Sequence, residues 1–182
     1  MVVRLLIVFF CVLMLAGHTA ARPLELILFD FEEDAELDRM HWQCFSVFSL
    51  SPEYASHGDM ALKMELYPSA WPGWSPKLDR TDWRDFTAVA FDIYNPQQHD
   101  VRLTVRIDDR KDYPDYAARY NRGFVLKPGP NAIVIDFDSL VTSSGNRPLD
   151  LKKIYRFLIF MASPPEKHVL YLDYVRLVGS GG

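Results

Sequence analysis

Arg106 and Asp108 stand two residues apart in the segment Val101-Arg102-Leu103-Thr104-Val105-Arg106-Ile107-Asp108. In extended chain that spacing puts both side chains on one face, opposite the apolar set Val101, Leu103, Val105 and Ile107. The run that follows, Asp109 to Arg122, contains Tyr113, Tyr116, Tyr120, Arg110, Arg119, Arg122, Asp112 and Asp115. These side chains supply planar, multidentate donors and acceptors. A loop of this composition on a rigid scaffold is equipped to recognise a hydroxyl-rich ligand. The same residues permit an internal network instead, in which Arg119 or Arg147 clamps Asp108 or Asp150 bidentately.

Catalytic signatures are weaker. A glycosidase needs two carboxyl groups about 5–9.5 Å apart, and Asp108 with Asp112 or Asp115 could be so arranged. With 24 acidic residues, however, some such pair is unavoidable. The chain has no serine nucleophile elbow, no histidine pair at helical spacing for zinc and no glycine loop for phosphate. His18, His41, His57, His99 and His168 are scattered and are expected in turns.

The elements that must hold these residues read as strands. Met60, Leu62, Met64 and Leu66 alternate with Ala61, Lys63 and Glu65, and Val89, Phe91 and Ile93 repeat the pattern. Further strands are expected at Leu24–Phe31, Gln43–Leu50, Gly123–Leu126, Asn131–Phe137, Ile154–Met161 and Val169–Val178. Asn95-Pro96, Lys127-Pro128-Gly129-Pro130 and Ser163-Pro164-Pro165 break the ladders between them. About nine short strands with such punctuation predict an all-β, two-sheet antiparallel sandwich, with helix confined to a turn around Leu149–Ile154. Along the last strand the apolar parity changes from Leu170 and Leu172 to Val175 and Leu177, which predicts a bulge at Asp173 and Tyr174. In the first strand Asp30 and Glu32 sit two apart and share a face, flanked by Phe29 and Phe31.

Arg4, the apolar run Leu5 to Ala16 and the small residues up to Ala21 read as a secretory leader, residues 1–21. The run is too short for a bilayer span, which needs about 20 apolar residues. Residues 22–178 are then expected as one domain, and 179–182 as a flexible tail. The protein is thus expected to be exported, with no stable membrane span once the leader is gone, and monomeric. Formal charge is −4 without a basic cluster, so no nucleic-acid partner is expected. Cys44 is the one cysteine outside the leader, which excludes an internal disulfide.

The segments Phe29-Asp30-Phe31-Glu32, Ser56-His57-Gly58-Asp59-Met60-Ala61-Leu62-Lys63 and Leu170-Tyr171-Leu172-Asp173-Tyr174-Val175-Arg176-Leu177 resemble the carbohydrate-binding modules of the galactose-binding-like β-sandwich (jelly-roll) superfamily. Trp83 to Asn95, Val105 to Asp109 and Leu126 to Asn131 extend the resemblance over nearly the whole chain after the leader. It implies a non-catalytic module whose partner is a poly- or oligosaccharide. It also implies a structural calcium joining the first strand to the last, held by Asp30, Glu32 and Asp173 with carbonyls from the Ser56–Asp59 loop. Sugar sites join exposed aromatic platforms to planar polar groups. The residues expected here are Trp71, Arg106, Asp108, Tyr113, Tyr116, Arg119, Tyr120 and Arg147. Trp74, Trp42 and Trp83 are expected to pack inward. Two alternatives stand beside this: a structural or adhesive envelope protein without a glycan ligand, and a polysaccharide lyase or hydrolase that uses the Tyr113–Arg122 loop. A module carrying its own leader departs from the usual attachment to a catalytic partner.

Overall fold

The computed structural model describes residues 24–42 and 45–179. The expected leader, Cys44 and residues 180–182 lie outside them. The strands are β1 (Leu24–Phe29), β2 (Met40–Trp42), β3 (Ser46–Ser51), β4 (Ala61–Leu66), β5 (Gly73–Pro76), β6 (Ala88–Asn95), β7 (Val101–Asp108), β8 (Tyr120–Leu126), β9 (Gly129–Asp136), β10 (Arg156–Phe160) and β11 (His168–Gly179). Four short 3-10 turns are the only helical elements among the described residues, and one of them, Leu151–Lys153, falls where a turn of helix was expected. No helix among these residues is long and apolar enough to cross a membrane.

The strands form a six-stranded antiparallel sheet, ordered β3-β4-β11-β6-β9 with β1 also on β11, and a five-stranded sheet, ordered β2-β5-β10-β7-β8. Alternation explains how they stack. Val89, Phe91 and Ile93 of the first sheet meet Val105, Ile107, Phe157 and Ile159 of the second in one core, together with Trp74 and Trp83. Both tryptophans are buried, as expected, and the Trp74 ring stands edge-on to Phe29, Phe31 and Phe157. Burying a side chain of this kind stabilises the fold by about 1.5–3 kcal/mol. The side chain of Trp42 lies outside what is described.

Two strands escaped the sequence reading. β5 has only four residues, Gly73-Trp74-Ser75-Pro76, beside two further prolines, a composition that reads as a loop. Its ladder closes because Gly73 has no Cβ: one built there would collide with the Ile159 carbonyl oxygen and the Phe160 backbone. β2 has three residues and, among the described residues, pairs only with β5. At the other end of the chain Gly179, expected in the tail, pairs with Leu24 and closes β11.

The expected bulge is present: the β11 register to β6 shifts between Asp173 and Arg176, and Tyr174 takes the left-handed conformation at φ 50°. Two of the acids expected to hold a calcium ion are bonded to backbone amides. Asp173 accepts hydrogen bonds from the backbone N–H groups of Ser56 (2.7 Å) and His57 (2.9 Å), and Glu32 from those of Asp59 (3.0 Å) and Met60 (2.9 Å). The Ser56–Met60 segment therefore presents amide donors to these carboxylates. Asp30 acts on Glu36, whose carboxyl is pushed up first by burial and then by the Asp30 charge. No group of three or more His, Cys, Asp or Glu among the described residues is placed to hold a metal.

Candidate functional site

The outward face of the five-stranded sheet is set by the same parity that fills the core. β10 pairs with β7 through Arg156↔Asp108, Leu158↔Arg106 and Phe160↔Thr104, all of which point away from the core side chains Phe157 and Ile159. On β5 the outward residue is Ser75. Leu158, Arg106 and Ser75 thus form a floor, and a groove of about 650 Å³ runs over it, lined also by His41, Trp71, Lys111, Tyr113, Tyr155 and Arg156.

Two aromatic rings mark the ends of this groove. Trp71 is 54% exposed and immediately precedes Pro72, whose carbonyl accepts from the Met161 amide at the end of β10. Tyr113 is 77% exposed and lies over the Arg156 guanidinium, 3.7 Å from ring centroid to Cζ, at the start of β10. The five residues of β10 between them span roughly 17 Å at the usual strand rise. Tyr113 holds a left-handed backbone, φ 48°, a conformation that persists in a non-glycine residue only where its surroundings enforce it. The enforcement is visible: Arg156 donates to the carbonyls of Arg110 (3.0 Å) and Lys111 (2.7 Å), and so holds the loop from beneath while its face carries the ring.

Asp108 is fully buried under the groove. Arg106 grips it with two hydrogen bonds, 2.8 Å from Nε and 2.5 Å from Nη2, and Arg156 approaches at 3.4 Å. Arg119, on the face shared with Asn121, has its pKa pushed down by burial and then by the nearby Arg106 charge. Its guanidinium lies 5.8 Å from the Tyr116 ring. Neither residue lines the groove, although Tyr116 is exposed.

Of the residues singled out in the sequence, Trp71, Arg106 and Tyr113 come together on the groove. Asp108 is inaccessible and acts through the arginines that it holds. Tyr120 is a correction: it pairs with Ile107, faces the core and is 4% exposed. Arg147 is a second, because it bonds Asp109 with both terminal nitrogens and seals the loop from the side. Burial pushes the Asp109 carboxyl up, but Arg147 and the Asp150 amide outweigh it, and its pKa lies below the ordinary value. This is the internal clamp that the sequence permitted, made to Asp109 instead of Asp108 or Asp150.

His41, Ser75, Lys111, Tyr155, Arg156 and Leu158 also line the groove and were not among the expected contacts. Arg156 and Leu158 could have been found by parity within the Ile154–Met161 strand, while His41 and Ser75 sit on the two strands that left no signal.

A smaller cleft, about 190 Å³, lies on the outward face of the six-stranded sheet between Tyr54, Tyr94, Tyr171 and Asp92. Its groups are committed to one another. Tyr54 stacks on Tyr94 at 3.8 Å, the Tyr171 hydroxyl donates to Glu53 (2.6 Å), and Ser56 Oγ donates to Asp92 (3.0 Å). Together they fasten the β3–β4 loop down on the sheet.

No protein-family model matches the chain, and no curated protein matches it in sequence. Solved structures are similar in fold. The Family 11 carbohydrate-binding module of Clostridium thermocellum, determined with a β-1,3-1,4-mixed-linked tetrasaccharide, superposes with a TM-score of 0.63 at 16% identity over 86% of this chain and 96% of that one. The xylan-binding domain CBM22-1 of Paenibacillus barcinonensis Xyn10C gives 0.58 at 13% over 90% and 98%. An exo-β-agarase gives 0.64 at 17% over 83% of this chain and 24% of that one. The chain has the jelly-roll β-sandwich fold of these carbohydrate-binding modules.

Proposed function

We propose that this protein is a non-catalytic carbohydrate-binding module that lays a poly- or oligosaccharide along the groove on its five-stranded sheet. The observation that carries the reading is the pair of exposed rings, Trp71 and Tyr113, at opposite ends of β10 over a floor of Arg106, Ser75 and Leu158. Rings of this kind meet the apolar CH faces of sugars, and the free donors of the floor meet hydroxyls. Arg106 and Trp71 are the residues assigned to contact; Arg156 positions Tyr113. Support also comes from the neighbours that match over nearly their full length, which are carbohydrate-binding modules, whereas in the agarase the match spans a fraction of the enzyme.

Asp108 is buried beneath the groove floor, out of reach of a bound saccharide. Export follows the leader-like segment and would bring the module to polysaccharide outside the cytoplasm. The test is a glycan array on the purified protein followed by a reducing-sugar assay on each hit. Binding without product is expected, with loss of binding in Trp71→Ala; release of reducing ends would make it an enzyme, and an empty array would end the proposal.

A further inference from the structure

The groove differs from a neutral sugar platform in the charge of what lines it. Arg106, Arg156 and Lys111 face it, together with His41, and among the described residues no aspartate or glutamate does. The protein as a whole carries the opposite sign, −4, so this groove is positive against the general trend. Asp108 is the carboxylate paired with Arg106 and Arg156 among the described residues, and its single charge balances one arginine of the two. Asp109 is already bound to Arg147. Asp112 and Asp115 belong to the same loop but do not line the groove.

The cations are also presented in a usable way. Arg106 spends Nε and Nη2 on Asp108, which fixes the guanidinium plane and leaves Nη1 for the groove. Lys111 is exposed and forms no ion pair among the described residues. A fixed fork beside a mobile ammonium is the arrangement that suits an anionic group whose exact position varies along a polymer. Burial beneath the floor keeps the counter-charge of Asp108 away from a ligand, and the groove walls reduce the screening that an exposed pair would suffer.

We infer that the ligand of this groove is an acidic glycan, a polysaccharide bearing uronate carboxylates or sulfate esters, with Lys111 and Arg106 meeting its anionic groups. This rests on the carbohydrate-binding reading above. Affinity electrophoresis of the purified protein through gels containing polygalacturonate, alginate, κ-carrageenan, mixed-linkage β-glucan or agarose separates the cases. The carboxylate and sulfate gels distinguish the two sources of charge. Retention is expected in at least one acidic gel and little in the neutral ones. It should weaken by about tenfold between about 0.1 M and about 1 M salt, as the screening length falls from ~10 Å to ~3 Å. Lys111→Ala should weaken acidic binding by about threefold, and Lys127→Ala, whose side chain pairs with Asp100 away from the groove, should not. Equal, salt-independent retention by β-glucan or agarose would overturn the inference while leaving the module reading intact. Retention by single-stranded DNA equal to that by the acidic polysaccharides would also overturn it. Retention by none of the probes would remove both.

Discussion

Asp108 and Asp109 are neighbours in sequence, both buried, and each is answered by different arginines. Asp108 closes β7 with outward parity and so meets Arg106 and Arg156, while Asp109 has left the strand and turns toward Arg147. The composition of the segment announced a carboxylate–guanidinium network, but the partner assignment depended on where the strand ends, a boundary that alternation leaves uncertain by a residue. The Asp109 carboxylate is held below its ordinary pKa, so its contribution to stability is present above the unfolded value and lost as pH falls through the folded one. Asp109→Asn is therefore expected to cost about 2 kcal/mol at neutral pH. It should also flatten the acid limb of the stability curve below about pH 4, measurable by urea melts over a pH series. An unchanged acid limb would remove Asp109 from the account. Asp173 behaves oppositely, because burial outweighs its amide partners and pushes its carboxyl up, so the stability it contributes is lost as pH rises through its folded value.

At the level of elements, the long alternating strands were legible because one face of each is core. β2 and β5 were not, since three or four residues with proline and glycine carry no period, and they brought His41 and Ser75 with them. β5 survives on one absent side chain. Gly73→Ala should push it off β10 and destabilise by about 1–3 kcal/mol, and because Trp71 is anchored through Pro72 to Met161, saccharide affinity should fall as well. A melt together with a binding isotherm reads both; full stability in the variant would contradict the close approach. The loop between β3 and β4 poses the opposite case. The sequence placed acids at the right strand ends but could not show whether the loop would turn carbonyls or amides toward them. Gly58 lets it turn amides: its φ is +64°, and a Cβ there would strike the Glu32 carboxylate. Thermal melts with calcium and with chelator are accordingly expected to coincide, and a calcium-dependent rise in melting temperature would show that the loop can invert to offer carbonyls.

Across the whole molecule, two sheets share a core and have outward faces with different tasks. Local alternation predicted the existence of both, but it carried no information on pairing between distant strands, such as β1 with β11, and hence none on which outward residues would meet. The six-stranded face is occupied by its own loop, with Tyr54, Ser56 and His57 folded onto Tyr94, Asp92 and Tyr174; the five-stranded face is open. A saccharide seated on the open face should bridge β5, β10 and β7 and stabilise the native state by mass action, about 2.7 kcal/mol at a ligand concentration 100 times Kd. For a chain of this size that is a rise in melting temperature of roughly 5–10 °C. Hydrogen exchange should slow at Ser75, Arg106, Leu158 and the Lys111–Tyr113 loop, while amides of the Ser56–Met60 loop, already bonded to Glu32 and Asp173, should exchange as before. Protection confined to the tyrosine cleft on the six-stranded face would move the binding site to the other side of the sandwich. The charge argument drawn from Arg106 and Lys111 would move with it, because neither residue lies there.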